Sequence, residues 1–296
     1  MAFCLYTMND RTRYIVPLPG GRSLELGART LVMGILNVTP DSFADGGLRF
    51  DPARAIDHGL QMTADGADIV DVGGESTRPG AEALDTKEEL RRILPVVERL
   101  AGTGVPVSVD TYKATVAREA VQCGAVLIND ISGLQFDSEL GRAVAETGAA
   151  LVLMHNRGRS DEMYRRAEYD DAPAEVIAEL RSAMRRATDA GVRPESIILD
   201  PGIGFAKRPP HSYAVLAHLG ALALLGQPIL SGPSRKSFLK AALGERAPAE
   251  REWGTAAAVA ASVLLGAHIV RVHGVREMVD VVRVADAVRH AAGPAR

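Results

Sequence analysis

From residue 31 onward the chain repeats one pattern. A short apolar run ends in a polar residue, and a longer segment follows with apolar positions every three or four residues. The first period suits a buried strand and the second an amphipathic helix. Eight such runs predict strands at 31–37, 68–72, 105–109, 125–128, 149–154, 196–199, 228–230 and 268–270. Helices are predicted at 51–64, 86–100, 113–122, 138–146, 172–190, 211–218, 236–243, 254–266 and 275–291. Asp51 and Pro52 supply an N-cap oxygen and a first-turn proline. Thr86 with Glu89 reads as a capping box. Behind it Leu90, Ile93, Leu94, Val97 and Leu100 form an apolar stripe, which Pro95 should bend. Gly66, Gly148 and Gly191 stop their helices. The charged stretch 157–171 reads as a mobile loop. Residues 1–30 are irregular, but Tyr14 to Leu26 alternates loosely around Pro19-Gly20-Gly21, which predicts a small hairpin that plugs the bottom of the domain.

Eight strand–helix units in about 260 residues define an α/β chain. An open doubly wound sheet also alternates in this way, but the count and the length favour a (β/α)8 TIM barrel. The expected organisation is an N-terminal extension over 1–30 and one barrel domain over 31–292. In such barrels the reactive side chains lie at the C-terminal ends of the strands. Here those ends carry Asn37, Thr77, Asp110, Asn129, His155, Asp200, Lys236, Arg271 and His273.

The types of these residues suggest a ligand. Asp110, Asn129 and Asp200 offer carboxylate and amide groups that match the edge of a flat heterocycle bearing amino and ring N–H groups. Each could alone be a helix N-cap; three on three strands of one barrel favour a site. Arg271 and His273, two apart on one strand, point to one side and suit an anion. Ser234-Arg235-Lys236-Ser237 opens a helix whose first N–H groups favour a carboxylate. Asn37 and the acceptor-rich loop after it could hold a magnesium ion that bridges to phosphate oxygens. Asp41 and Asp45 read as turn residues, and His155 as structural. GxSxG, the Walker lysine loop and a dinucleotide fingerprint are all missing.

Composition narrows the picture. The 296 residues carry a net charge of −3, which gives no general attraction to nucleic acid or to an anionic membrane. Cys4 and Cys123 are too few for a disulfide framework and suit a reducing cytosol. The longest apolar stretch, 255–267, is too short to span a bilayer. The expected location is the cytoplasm.

Seven segments together resemble the bacterial dihydropteroate synthases. They are Gly34 through Gly47, Asp71-Val72-Gly73-Gly74-Glu75-Ser76-Thr77-Arg78-Pro79-Gly80, Ser108-Val109-Asp110-Thr111, Asn129-Asp130-Ile131, Asp200-Pro201-Gly202-Ile203-Gly204-Phe205, Ser234-Arg235-Lys236-Ser237-Phe238 and Arg271-Val272-His273. The resemblance spans about residues 24–290. It implies a (β/α)8 barrel, a homodimer and a place in folate synthesis as a target of sulfonamides. The implied reaction joins 6-hydroxymethyl-7,8-dihydropterin diphosphate to 4-aminobenzoate, with Mg2+. By motif, Asp110, Asn129, Asp200 and Lys236 would hold the pterin. Asn37, Thr77, Arg271 and His273 would hold diphosphate, with Asn37 at the metal. Phe43, Arg78, Pro79, Phe205, Ser234 and Ser237 would line the aminobenzoate site. Asp110, Lys236, Arg271 and His273 would carry catalysis. Loops 38–47 and 74–81 would close over the substrates. Ala44, Asn156-Arg157, Ala206 and Arg208 depart from the family pattern and bear on loop closure and affinity. The nearest alternative is a pterin-binding methyltransferase domain, which has no need of the Thr39–Phe43 loop or the Ser234–Ser237 segment. A catalytically dead barrel would have lost Asp110, Lys236 or Arg271.

Overall fold

In a computed structural model of the chain, residues 11–39, 51–76, 84–159, 165 and 167–292 are described. A hairpin comes first, β1 (Tyr14–Pro17) paired antiparallel with β2 (Ser23–Leu26). Gly20 and Gly21 both take φ of +73° in the turn, a left-handed backbone that a side chain would strain. Eight parallel strands follow: β3 (Leu31–Asn37), β4 (Ile69–Gly73), β5 (Val107–Asp110), β6 (Leu127–Asp130), β7 (Ala150–Met154), β8 (Ile197–Asp200), β9 (Leu230–Ser231) and β10 (Ile269–Val272). They pair in the order β8-β7-β6-β5-β4-β3-β10-β9, and a parallel bridge between Leu199 and Ile229 joins the two ends. The sheet closes into a (β/α)8 barrel, as the eightfold pattern predicts.

Helices α1 (Pro52–Ala64), α2 (Thr86–Ala101), α3 (Ala114–Gln122), α4 (Leu140–Thr147), α5 (Ala172–Asp189), α6 (Pro209–Ala217), α7 (Lys240–Leu243), α8 (Glu252–Leu264) and α9 (Val275–Ala291) connect the strands. Their apolar faces pack on the outward strand residues, including Val32, Val70, Val72, Val107, Val109 and Val270, to form the larger core. Inside the barrel Leu31, Met33, Ile69, Leu127, Val152, Ile198, Leu230 and Ile269 form a second core. Val16, Leu18, Leu24 and Leu26 of the hairpin belong to it and seal the N-terminal end. The apolar lower layers leave the upper part of the barrel, toward the C-terminal ends of the strands, for polar side chains. Among the described residues, no helix is long and apolar enough to cross a membrane.

Local details differ from the expectations. Asp85, rather than Thr86, caps α2, accepting from the Lys87 N–H at 3.0 Å. Glu89 is buried and bonds to Lys113 instead of closing a capping box. The helix runs through Pro95 without a break. Strand β5 starts at Val107, two residues late, because Pro106 has no N–H to give the ladder. Residues 236–243 form a 3-10 turn, Ser237–Leu239, and the four-residue α7. That is too short to carry a sizeable helix dipole toward a carboxylate. Residues 160–164 and 166 of the expected mobile loop lie outside the described residues. At its near end Arg157 is held by Glu179 and by Glu175 at 2.7 Å, and its guanidinium stacks 3.9 Å from the Tyr169 ring centroid.

Candidate active site

The register shows why the polar strand ends meet. Asn37 pairs with Gly73, Gly73 with Asp110, and Asp110 with Asn129. Along β3 to β6 these positions lie in one layer and face one way. On the far side Asp200 ends β8, Arg271 lies in β10, and His273 follows two residues later. Lys236 reaches the same floor from the segment after β9, with its Nζ 3.6 Å from the centre of the Phe205 ring. Arg235 just before it takes φ of +57°, and three contacts hold it there. Its N–H donates to Thr255 Oγ1 at 3.0 Å, its side chain bonds Glu252 at 2.8 Å, and its carbonyl accepts from Arg251 at 2.8 Å.

One residue at the centre was not singled out in the sequence. Asp71 in β4 is fully buried, and its Oδ2 accepts from Arg271 Nε at 2.6 Å and from Asn129 Nδ2 at 2.9 Å. Arg271 also donates to Asp110 Oδ2 at 2.8 Å. The guanidinium therefore bridges two carboxylates. A signal for Asp71 does exist: it is the only charged residue within an otherwise apolar strand, Ile69–Gly73. Alternation places it on the inward face with Gly73.

Burial sets the protonation of this floor. Taking the carboxylate of Asp110 out of water pushes it up to about 7; Arg271 opposes that, and Asp71 adds to it. Burial lowers Lys236 to about 7, and the Arg271 charge pushes the same way. Asp200 is also raised by burial, although the Gly202 N–H donates to its Oδ1 at 2.7 Å. Gly202 has φ of +65°, and a Cβ there would collide with the His155 carbonyl oxygen. Only glycine lets the chain turn this tightly after β8.

The other predicted residues divide. Ser234 is buried, and its Oγ accepts from the His273 backbone N–H at 3.2 Å and meets His273 Nδ1 at 3.0 Å. Phe205 is buried beneath Lys236. Ser237 is exposed, and Asn37 is half-buried at the end of β3. Thr77, Arg78, Pro79 and Phe43 lie outside the described residues, as do Ala44 and most of the two expected closing loops. His155 is structural, as expected: its Nδ1 meets Lys207 Nζ at 2.8 Å and its Nε2 meets Glu179 at 3.0 Å. Lys207 is a second residue that the sequence did not single out. It is fully buried, and it donates to the carbonyls of Gly202 at 3.0 Å and Phe205 at 3.1 Å.

Buried acceptors, two cations with opposed environments and an aromatic ring at the top of a closed barrel make a site for a flat, hydrogen-bonding heterocycle with an anionic appendage. The chain belongs to the family described as pterin binding enzyme, which matches residues 33–273. Within it the chain groups with the dihydropteroate synthases. It is 50% identical over 269 residues to the dihydropteroate synthase of Mycobacterium leprae, covering 89% of this chain and 94% of that one. With the dihydropteroate synthase of Synechocystis it shares 46% over 274 residues, covering 92% and 95%. The Xanthomonas albilineans dihydropteroate synthase, solved with 4-aminobenzoic acid, superposes with a TM-score of 0.85 at 42% identity, covering 93% of this chain and 98% of that chain.

Proposed function

We propose that this chain condenses 6-hydroxymethyl-7,8-dihydropterin diphosphate with 4-aminobenzoate, releasing 7,8-dihydropteroate and diphosphate. The observation that carries the reading is the floor of the barrel, where Asp110, Asn129, Asp200, Lys236 and Arg271 meet in a chain whose relatives are dihydropteroate synthases. The pterin lies on that floor, its N–H groups donating to Asp110, Asn129 and Asp200. Lys236 lies over Phe205 at the pterin's rim.

The reaction breaks the bond between the pterin methylene carbon and the diphosphate oxygen. It forms a bond from that carbon to the amine nitrogen, which then loses a proton. Positive charge develops on the pterin as the leaving group departs, and the Asp110 carboxylate stabilises it. Arg271 and His273 face the departing diphosphate, with Thr77 as a further contact. Aminobenzoate sits against Phe205, Ser234 and Ser237, with Phe43, Arg78 and Pro79 from the two loops. An aromatic amine is already nucleophilic when neutral, so the site works by position and electrostatics rather than by a strong base.

Among the described residues, no group of three or more His, Cys, Asp or Glu is arranged for a metal ion. Mg2+ takes few protein ligands and shares its shell with phosphate oxygens. Asn37, the amide at the end of β3, would hold it, and the ion would neutralise the leaving diphosphate. In this reading the enzyme works in the cytoplasm as a homodimer, without nucleic acid or membrane. The test is diphosphate release from the pterin substrate with Mg2+, with and without 4-aminobenzoate. Release that depends on both substrates is expected; none with both present would overturn the reading.

A further inference from the structure

We propose that Asp71 is a positioning residue for this site: its carboxylate orients the Arg271 guanidinium and the Asn129 amide, and so decides which atoms the barrel floor offers to the pterin. The proposal rests on the reading of the site above.

The Asp71 side chain has no exposed surface, so it acts only through its neighbours. A carboxylate can only accept, so the Asn129 amide has one orientation, with Nδ2 turned to Asp71. Oδ1 is thereby kept as the acceptor for an N–H of the heterocycle. Arg271 is fixed at two nitrogens, Nε on Asp71 and one terminal nitrogen on Asp110. A planar guanidinium held at two points cannot turn about its own axis. Its other terminal nitrogen bonds to neither carboxylate.

Neutralising Arg271 does not require Asp71, because Asp110 already pairs with it. A second buried carboxylate carries a desolvation cost. Part of that cost is visible, since Asp71 Oδ1 is buried with no hydrogen-bond partner. Orientation is what the second carboxylate adds.

Asp71→Asn in the full chain tests this. It keeps the shape but gives position 71 a donor, so the Asn129 amide can flip and Arg271 Nε loses its charged acceptor. The KM for the pterin diphosphate should rise on the order of 10- to 100-fold, with the KM for 4-aminobenzoate unchanged. The acid limb of kcat/KM should move to lower pH, because Asp110 loses a neighbouring negative charge. Ser108→Ala is the control. Ser108 is the register partner of Asp71, and its buried Oγ is also without a partner. It should match wild type. An unchanged pterin KM and pH profile in Asp71→Asn, with only the melting temperature or active fraction altered, would overturn the proposal.

If Asp71→Asn does not fold, or if the wild type releases no diphosphate, the wild-type protein labelled with 15N-arginine decides. The Arg271 Nε–H, assigned by its loss in Arg271→Lys, should exchange far more slowly than the exposed arginines; exchange at their rate refutes the positioning. An inactive wild type would refute the functional reading. A defect confined to Asp71→Asn bears on Asp71 alone.

Discussion

At the scale of single residues, Asp110 and Lys236 carry the pH behaviour of the site. Asp110 is raised to about 7 and Lys236 lowered to about 7, each chiefly by burial. In the proposed reading, pterin binding needs Asp110 ionised and Lys236 protonated. Below about pH 7 the first condition fails, and above it the second does. The profile of kcat/KM for the pterin diphosphate should therefore be a narrow bell near neutrality. Arginine keeps its charge across this range. Lys236→Arg should abolish the alkaline limb and leave the acid one. Retention of the alkaline limb in that variant would take it away from Lys236.

At the scale of an element, the turn after β8 depends on a buried chain of polar groups. Lys207 holds the carbonyls of Gly202 and Phe205, His155 meets Lys207, and Glu179 on α5 meets His155. The turn in turn presents Asp200 and Phe205 to the site. Burial, with the Lys207 charge, lowers His155 to about 4 from its ordinary 6.5. On unfolding the ring regains its usual affinity, so between pH 6.5 and 4 the unfolded chain binds a proton that the folded chain does not. The His155 contribution is thus complete above pH 6.5 and is lost as pH falls toward 4, by about 3 kcal/mol. Urea unfolding across this range should show that loss in the wild type relative to His155→Gln. Parallel curves for the two proteins would remove His155 as the cause. Ala206, in the same turn, takes φ of +45°, where glycine would be unstrained.

At the scale of the molecule, the barrel separates stability from chemistry. Its lower layers and the hairpin make one apolar plug, and the polar groups sit at the other end. Leu26 is 2% exposed in that plug. Leu26→Ala should cost about 2–5 kcal/mol of stability, read from denaturant unfolding, while kcat and both KM values stay at wild-type levels. A change in the pterin KM would show that the two ends are coupled.

Much of this molecule is local and was legible along the chain. Strand and helix periods follow from where apolar side chains must go. The eightfold repeat, the last helix at 275–291, the Asp51 cap and the hairpin turn all follow from neighbours in sequence. The polar strand ends were visible because each breaks an apolar run, and Asp110, Asn129, Asp200 and Arg271 do gather at one end of the barrel. Asp71 and Lys207 were hidden by their context. Asp71 lies within an apolar run rather than at its end, and Lys207 looks like an ordinary surface lysine between Ala206 and Arg208. Their partners are 200, 58 and 52 positions away in the chain, at Arg271, Asn129 and His155. Closure of the barrel alone brings such groups within 3 Å and removes the water that would otherwise satisfy them. The residue types at the site are therefore a property of the sequence. Which carboxylate orients which cation, and at what pH each holds its charge, is decided by the tertiary structure, because burial and long-range register set both.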